Sequence, residues 1–161
     1  MLNRLYLRID GVFNSEQRLC EIGGGGMNHW WSGYGIDGDK IEVLNRAHRL
    51  VPFEITLLPS WRLSMWSVKR HRGLLGDMGL APFVNDMAAG GPSDKDAAVN
   101  GHILKIAALG LKINAVILDA SVAKYGPDLA PRVVEISRVY GLRTRDAKRI
   151  MKAFQDGYRD E

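Results

Sequence analysis

"KIAALGLKINAVILD", Lys105 to Asp119, is the stretch whose reading decides the fold. As one long buried helix it tolerates Gly110 at a cost of about 1 kcal/mol relative to alanine. As two elements, a helix ends at Gly110 and "INAVILD", Ile113 to Asp119, is a buried strand. The alanines before the glycine and the spacing of Lys105 and Lys112 favour the helix, and that reading is adopted. The strand alternative would make the fold α/β.

Upstream, the chain reads as β. In "LYLRIDGVF", Leu5, Leu7 and Ile9 alternate with Tyr6, Arg8 and Asp10, the period of a half-buried strand. "PFEITLL" and "RLSMWSV" are similar, with Pro59-Ser60 as a turn signal between them. "DKIEVLNRAHRLV" fits either a strand (Ile41, Val43) or a helical stripe (Leu44, Ala47, Leu50). "RGLLGDMGLAPFVNDMAAGGPSDKD" reads as a connector closed by Gly90-Gly91-Pro92, with Ser93 and Asp94 as N-cap candidates for the helix beyond. Gly126-Pro127 breaks the chain again. The expectation is one α+β domain over 1–161: a small antiparallel sheet in 1–75, a connector in 76–93, and a mainly helical part in 94–161. Its last elements form a helix-turn-helix-like pair.

That pair is "VVEISRVYGLRTRDAKRIMKAF", Val133 to Phe154, which resembles a helix-turn-helix in general pattern. Two helices crossing steeply need a small residue at the contact (Ser137), apolar residues beside it (Ile136, Tyr140), and a glycine at the turn (Gly141). Leu142 plugs the turn, Thr144 caps the second helix, and Ala147 and Ile150 face the core. Arg143, Arg145, Lys148, Arg149 and Lys152 then project outward, where a recognition helix meets DNA. Asp146 opposes a phosphate unless it pairs with Arg149 or Arg143. A second basic cluster, Lys69, Arg70 and Arg72, extends the electrostatic footprint. The competing reading is a plain helical pair with a solvated basic face.

Composition is compatible with this. The chain has 161 residues, a net charge of +4 and 46% hydrophobic residues, the profile of an ordinary globular domain with a basic bias. Its one cysteine, Cys20, excludes an intrachain disulfide and points to the reducing cytoplasm. No apolar run is long and uninterrupted enough to cross a membrane.

Catalytic signals are weak. The four histidines, His29, His48, His71 and His102, show no metal-binding spacing, and "DGDKIE" lacks the ligand pattern of a calcium loop. No cofactor is implied. The glycine run "GGGGMNHWW" lacks the Lys-Ser/Thr of a phosphate loop and the G-x-G-x-x-G pattern. Trp30, Trp31 and His29 at its end make a candidate contact loop for a protein partner, with His29 the one candidate acid or base. Nucleic-acid binding, to DNA before RNA, is therefore the first expectation. The second is an interaction or inhibitor module of the phage- or plasmid-borne kind, meeting an acidic protein or a second copy of itself as a homodimer. An enzyme centred on His29 is third.

Overall fold

The computed structural model describes residues 1–21, 35–59, 67–90 and 93–157. Among them the strands are β1 (Leu2–Leu7), β2 (Glu54–Leu57), β3 (Val84–Met87), β4 (Ile113–Asp119) and β5 (Val133–Glu135). The helices are α1 (Glu16–Glu21), α2 (Gly38–Leu50), α3 (Val68–Asp77), α4 (Lys95–Ala107) and α5 (Thr144–Asp156). The strands form one sheet in the order β3-β2-β1-β4-β5, and every pairing is parallel. The fold is α/β. The expected α+β arrangement, with an antiparallel N-terminal sheet and a helical C-terminal half, is overturned. β4 and β5 lie in the part read as helical, and β3 in the part read as connector.

The physical reason lies in the deciding stretch. α4 ends at Ala107, and Gly110 takes φ +76°, a conformation that costs other residues dearly. Its N–H bonds back to the Ala107 carbonyl at 2.9 Å, closing the helix end. The chain then re-enters as β4, next to β1, with six of seven residues buried. Val116 and Leu118 face one core cluster, and Ala115 and Ile117 the other. A strand covered on both faces has no polar alternation to announce it, so its apolar run mimics a buried helix. β1 behaves alike: Leu5 and Leu7 enter the larger core while Tyr6 enters the smaller.

The larger core lies under α2, α3 and α5; the smaller holds Val99 of α4. "DKIEVLNRAHRLV" resolves as helix α2, capped by Asp37, which accepts from the Asp39 N–H at 3.1 Å. Lys69, Arg70 and Arg72, the second basic cluster, stand on the first turns of α3. "RLSMWSV" falls mostly outside the described residues, and its last residue, Val68, opens α3. No helix among the described residues is long and apolar enough to cross a membrane.

The helix-turn-helix-like pair is also corrected. Val133 to Glu135 is a strand, so the first helix of the pair does not exist. Tyr140, expected to pack beside the turn, is half exposed. The turn itself is as expected: Gly141 has φ +64°, its N–H bonds the Ser137 carbonyl at 2.7 Å, and Leu142 is fully buried. Gly141 also lies against the loop after β1. A Cβ added there would sit 2.6 Å from the Val12 carbonyl oxygen, the group that accepts from the Leu142 N–H at 3.0 Å. Gly141→Ala is therefore expected to lose about 2 kcal/mol or more of stability from backbone strain and that clash together. A shift of the urea midpoint at constant m measures it; an unchanged midpoint contradicts the account.

Candidate nucleic-acid interface

The candidate site is built on α5, whose two sides differ sharply. Ala147, Ile150 and Phe154 are fully buried at the i, i+3, i+7 spacing. Phe154 stacks on Phe53 with ring centroids 5.4 Å apart, which fixes the helix against the strand-entry end of β2. Asn114 of β4 donates to the Phe154 carbonyl at 2.8 Å, satisfying one carbonyl that the helix end leaves open. The opposite side is then determined: Arg145, Lys148, Arg149 and Lys152, at i, i+3, i+4 and i+7, are all exposed.

Asp146 anchors the start of this helix. It is 1% exposed, accepts from the Arg143 backbone N–H at 2.9 Å, and pairs with Arg149 at 2.7 Å. The cap thus runs from Asp146 back to Arg143 rather than from Thr144 forward. The pairing with Arg149, one of the two partners foreseen for Asp146, turns its charge away from an approaching phosphate. Arg145, Lys148 and Lys152 make no ion pair among the described residues.

Three clefts border the stripe. One of about 780 Å³ lies between α2 and the start of α5, lined by Lys40, Arg46, Arg49, Arg143 and Arg145 with Asp39 and Glu42. Arg49 bonds Glu42 at 2.6 Å and holds that carboxyl below its usual range. A second, of about 530 Å³, is lined by Arg138, Arg143, Arg145 and Arg149 together with Ser137, Ala120, Ile136 and Glu135. A third, of about 290 Å³, includes Arg132, Arg149 and Lys152 with Asp156. Arg143 and Arg145 are shared by the first two and Arg149 by the last two, so the basic surface is continuous around the exposed side of α5.

The second cleft has a topological address. The chain builds β1, β2 and β3 outward, then returns through α4 to place β4 on the other flank of β1. The strand order reverses between β1 and β4, the place where open α/β sheets bind ligands at their carboxyl ends. At this point the loops after β1 and β4 touch: a Cβ on Gly11, φ +78°, would lie 3.3 Å from the Ala120 Cβ. The opening is displaced toward β5, where Ala120, Glu135 and Arg138 line the cleft.

Beneath it lies a buried charge cluster absent from the sequence reading. Asp119, at the last position of β4 and with no exposed surface, accepts from Lys95 Nζ at 2.6 Å, Tyr125 Oη at 2.8 Å, Arg8 Nη1 at 3.0 Å and the Ala120 N–H at 2.6 Å. Burial pushes its pKa up, but the bond and charge of Lys95, with Arg8 and Tyr125, more than offset this and hold it below the usual range. Lys95 opens α4 and Arg8 follows β1, so the carboxylate ties the switch point together. It is enclosed, and its bonds join the start of α4, the loop after β1 and Tyr125.

The other sequence candidates separate from the stripe. Arg72 donates to the Val84 and Asn85 carbonyls at 2.7 and 3.2 Å and lies over the Phe83 ring, so it serves β3. His48 accepts from the Phe53 N–H at 3.2 Å, and His102 Nδ1 meets Tyr6 Oη at 2.9 Å, both structural contacts. His29, Trp30 and Trp31 lie outside the described residues. No group of three or more potential metal ligands occurs among the described residues. No protein-family model matches the chain, and comparison with curated proteins and with solved structures found no match.

Proposed function

We propose that this protein binds nucleic acid, DNA before RNA, by contacting the phosphate backbone with the outer side of α5. The observation that carries the reading is the stripe Arg145, Lys148, Arg149 and Lys152, all on the exposed side of α5 and joined to further cations in the flanking clefts. A buried or ion-paired stripe would be a fold-holding device; three of these four cations have no ion-pair partner among the described residues. Seven helical steps separate Arg145 from Lys152, about 10 Å, which matches the axial rise of about three nucleotides. With no preceding helix to seat α5 in a groove, the contacts go to phosphate, and binding is weakly dependent on sequence. Cys20 is exposed and unpaired, which suits a reducing cytoplasm.

Titration of a labelled random-sequence duplex, and of the same sequence as RNA, at low and near-physiological salt tests the reading. Binding is expected to weaken steeply with salt, and Arg145→Ala/Arg149→Ala to weaken it by about tenfold or more at low salt. No binding at low salt, or indifference to the double substitution, would remove the proposal.

A further inference from the structure

We infer that the cleft beside the carboxyl ends of β4 and β5 seats a terminal phosphomonoester, carried by the end of a nucleic-acid strand or by a free mononucleotide. The inference rests on the nucleic-acid reading and gives it a chemically defined end-binding site.

Four guanidinium groups, from Arg138, Arg143, Arg145 and Arg149, border this single cleft of about 530 Å³. Two of them have surface or helix-cap partners: Arg138 pairs with Glu16 at 2.8 Å and Arg149 with Asp146 at 2.7 Å. Of the other two, among the described residues, Arg145 has no ion pair, and Arg143 has only the face of Tyr140, 5.4 Å away, with its Nε buried and without an acceptor. Gathering like charges around one concavity is unfavourable until an anion enters. Guanidinium forks match phosphate oxygens in pairs, and a monoester offers three such oxygens and nearly two charges near neutral pH.

The remaining groups argue for a strand end over a mid-strand phosphodiester. Glu135 is the one carboxylate lining the cleft, and only its Oε1 is engaged, by the Val122 N–H at 3.3 Å. A strand running through would bring a second phosphate toward that carboxylate, which repels it. A nucleotide ending in the cleft instead presents sugar hydroxyls or base N–H groups, for which Glu135 is an acceptor. Ser137 Oγ accepts from the Tyr140 N–H at 3.4 Å and keeps its own O–H to donate. The volume lies within the range of about 300–1,000 Å³ typical of small-ligand sites, ample for one nucleotide.

The test uses the full chain and fluorescence anisotropy. Short single strands are compared with and without a 5′-phosphate, labelled at the 3′ end, and with and without a 3′-phosphate, labelled at the 5′ end. One phosphorylated strand is expected to bind about tenfold more tightly than its unphosphorylated twin near neutral pH. That ratio should shrink as pH falls below about 6, where the monoester loses its second charge. Arg143→Ala, outside the α5 stripe, is expected to erase the ratio; Lys148→Ala/Lys152→Ala should weaken both strands and preserve it. Adenosine monophosphate competing where adenosine does not would assign the site to free nucleotides as well as strand ends. A ratio near one at both ends, with no competition by adenosine monophosphate, overturns the inference while strand binding still stands. Adenosine monophosphate bound with no strand bound at all would uphold the cleft and sink the strand reading. A ratio unaffected by Arg143→Ala would also overturn this assignment of the site.

Discussion

Asp119→Ala is expected to lose about 3–5 kcal/mol of folding stability, the largest single effect outside the apolar core. A typical domain has about 5–15 kcal/mol in all, so this variant approaches the unfolding threshold. The cost does not equal the worth of the ion pair. It arises because Lys95, 3% exposed and already lowered in pKa by burial, and Arg8 would lose the acceptor that compensates their desolvation. A charge enclosed without a partner is far more costly than a matched pair is favourable. Asp119→Asn keeps the volume and isolates the charge, so it should lose less than alanine yet more than an exposed substitution. Replacing both Lys95 and Asp119 with Met and Leu should recover much of the loss, since apolar pairs often substitute for buried ion pairs. Urea denaturation reads all four proteins. A loss below about 1 kcal/mol for Asp119→Ala would show that the cluster does not hold the loops as described.

The same carboxylate gives the protein an acid-side dependence. Its folded pKa is depressed, so the folded state binds this proton less readily than the unfolded chain. The stabilisation is fully present above the unfolded value of about 3.9 and is lost as pH falls through the lower folded value. In Asp119→Ala that portion of the acid dependence should vanish.

How much of this could be read from the chain depends on which physical signal each element carries. α5 was legible because one face is fully buried and the other fully charged; Ala147, Ile150 and the outward cations stand where the spacing put them. β4 was not, because a strand buried on both faces presents an unbroken apolar run, and Gly110 was compatible with either helix interior or helix end. β5 is only three residues long, and "VVEIS" sits within an apparent helical stripe whose Tyr140 proves to be half exposed. Parallel pairing joins strands distant in sequence and leaves no hairpin signal, so antiparallel order was the default for short β segments. The Asp119 cluster unites residues 8, 95, 119 and 125, which no local pattern connects. Its one sequence trace is a charged residue closing an apolar strand.

The two basic clusters of the sequence should separate cleanly in binding experiments. Removing the α5 stripe, as Arg145→Ala/Lys148→Ala/Arg149→Ala/Lys152→Ala, is expected to weaken duplex binding on the order of a hundredfold or more at low salt. The slope of log K against log salt should become shallower by about 3–4 if each side chain neutralises one phosphate. At near-physiological salt Lys69→Ala/Arg70→Ala should change affinity by less than about threefold. The geometry explains the difference. α3 packs against β3 at one edge of the sheet, whereas α5 packs on β4 and β5 at the other. Four inter-strand spacings part those edges, about 19 Å, roughly twice the screening length at physiological salt. Arg72 is already committed to the Val84 and Asn85 carbonyls, so the α3 cluster offers less free charge than its sequence suggests. All the α5 substitutions are on the exposed side, away from Ile150 and Phe154, and three of the four break no ion pair. The quadruple variant loses the Arg149–Asp146 pair but leaves the buried Asp146 carboxylate its bond from the Arg143 N–H, and circular dichroism would verify that it folds. Equal losses from the two sets would place the nucleic acid across the whole sheet end, and a larger loss from the α3 set would move the interface away from α5 altogether.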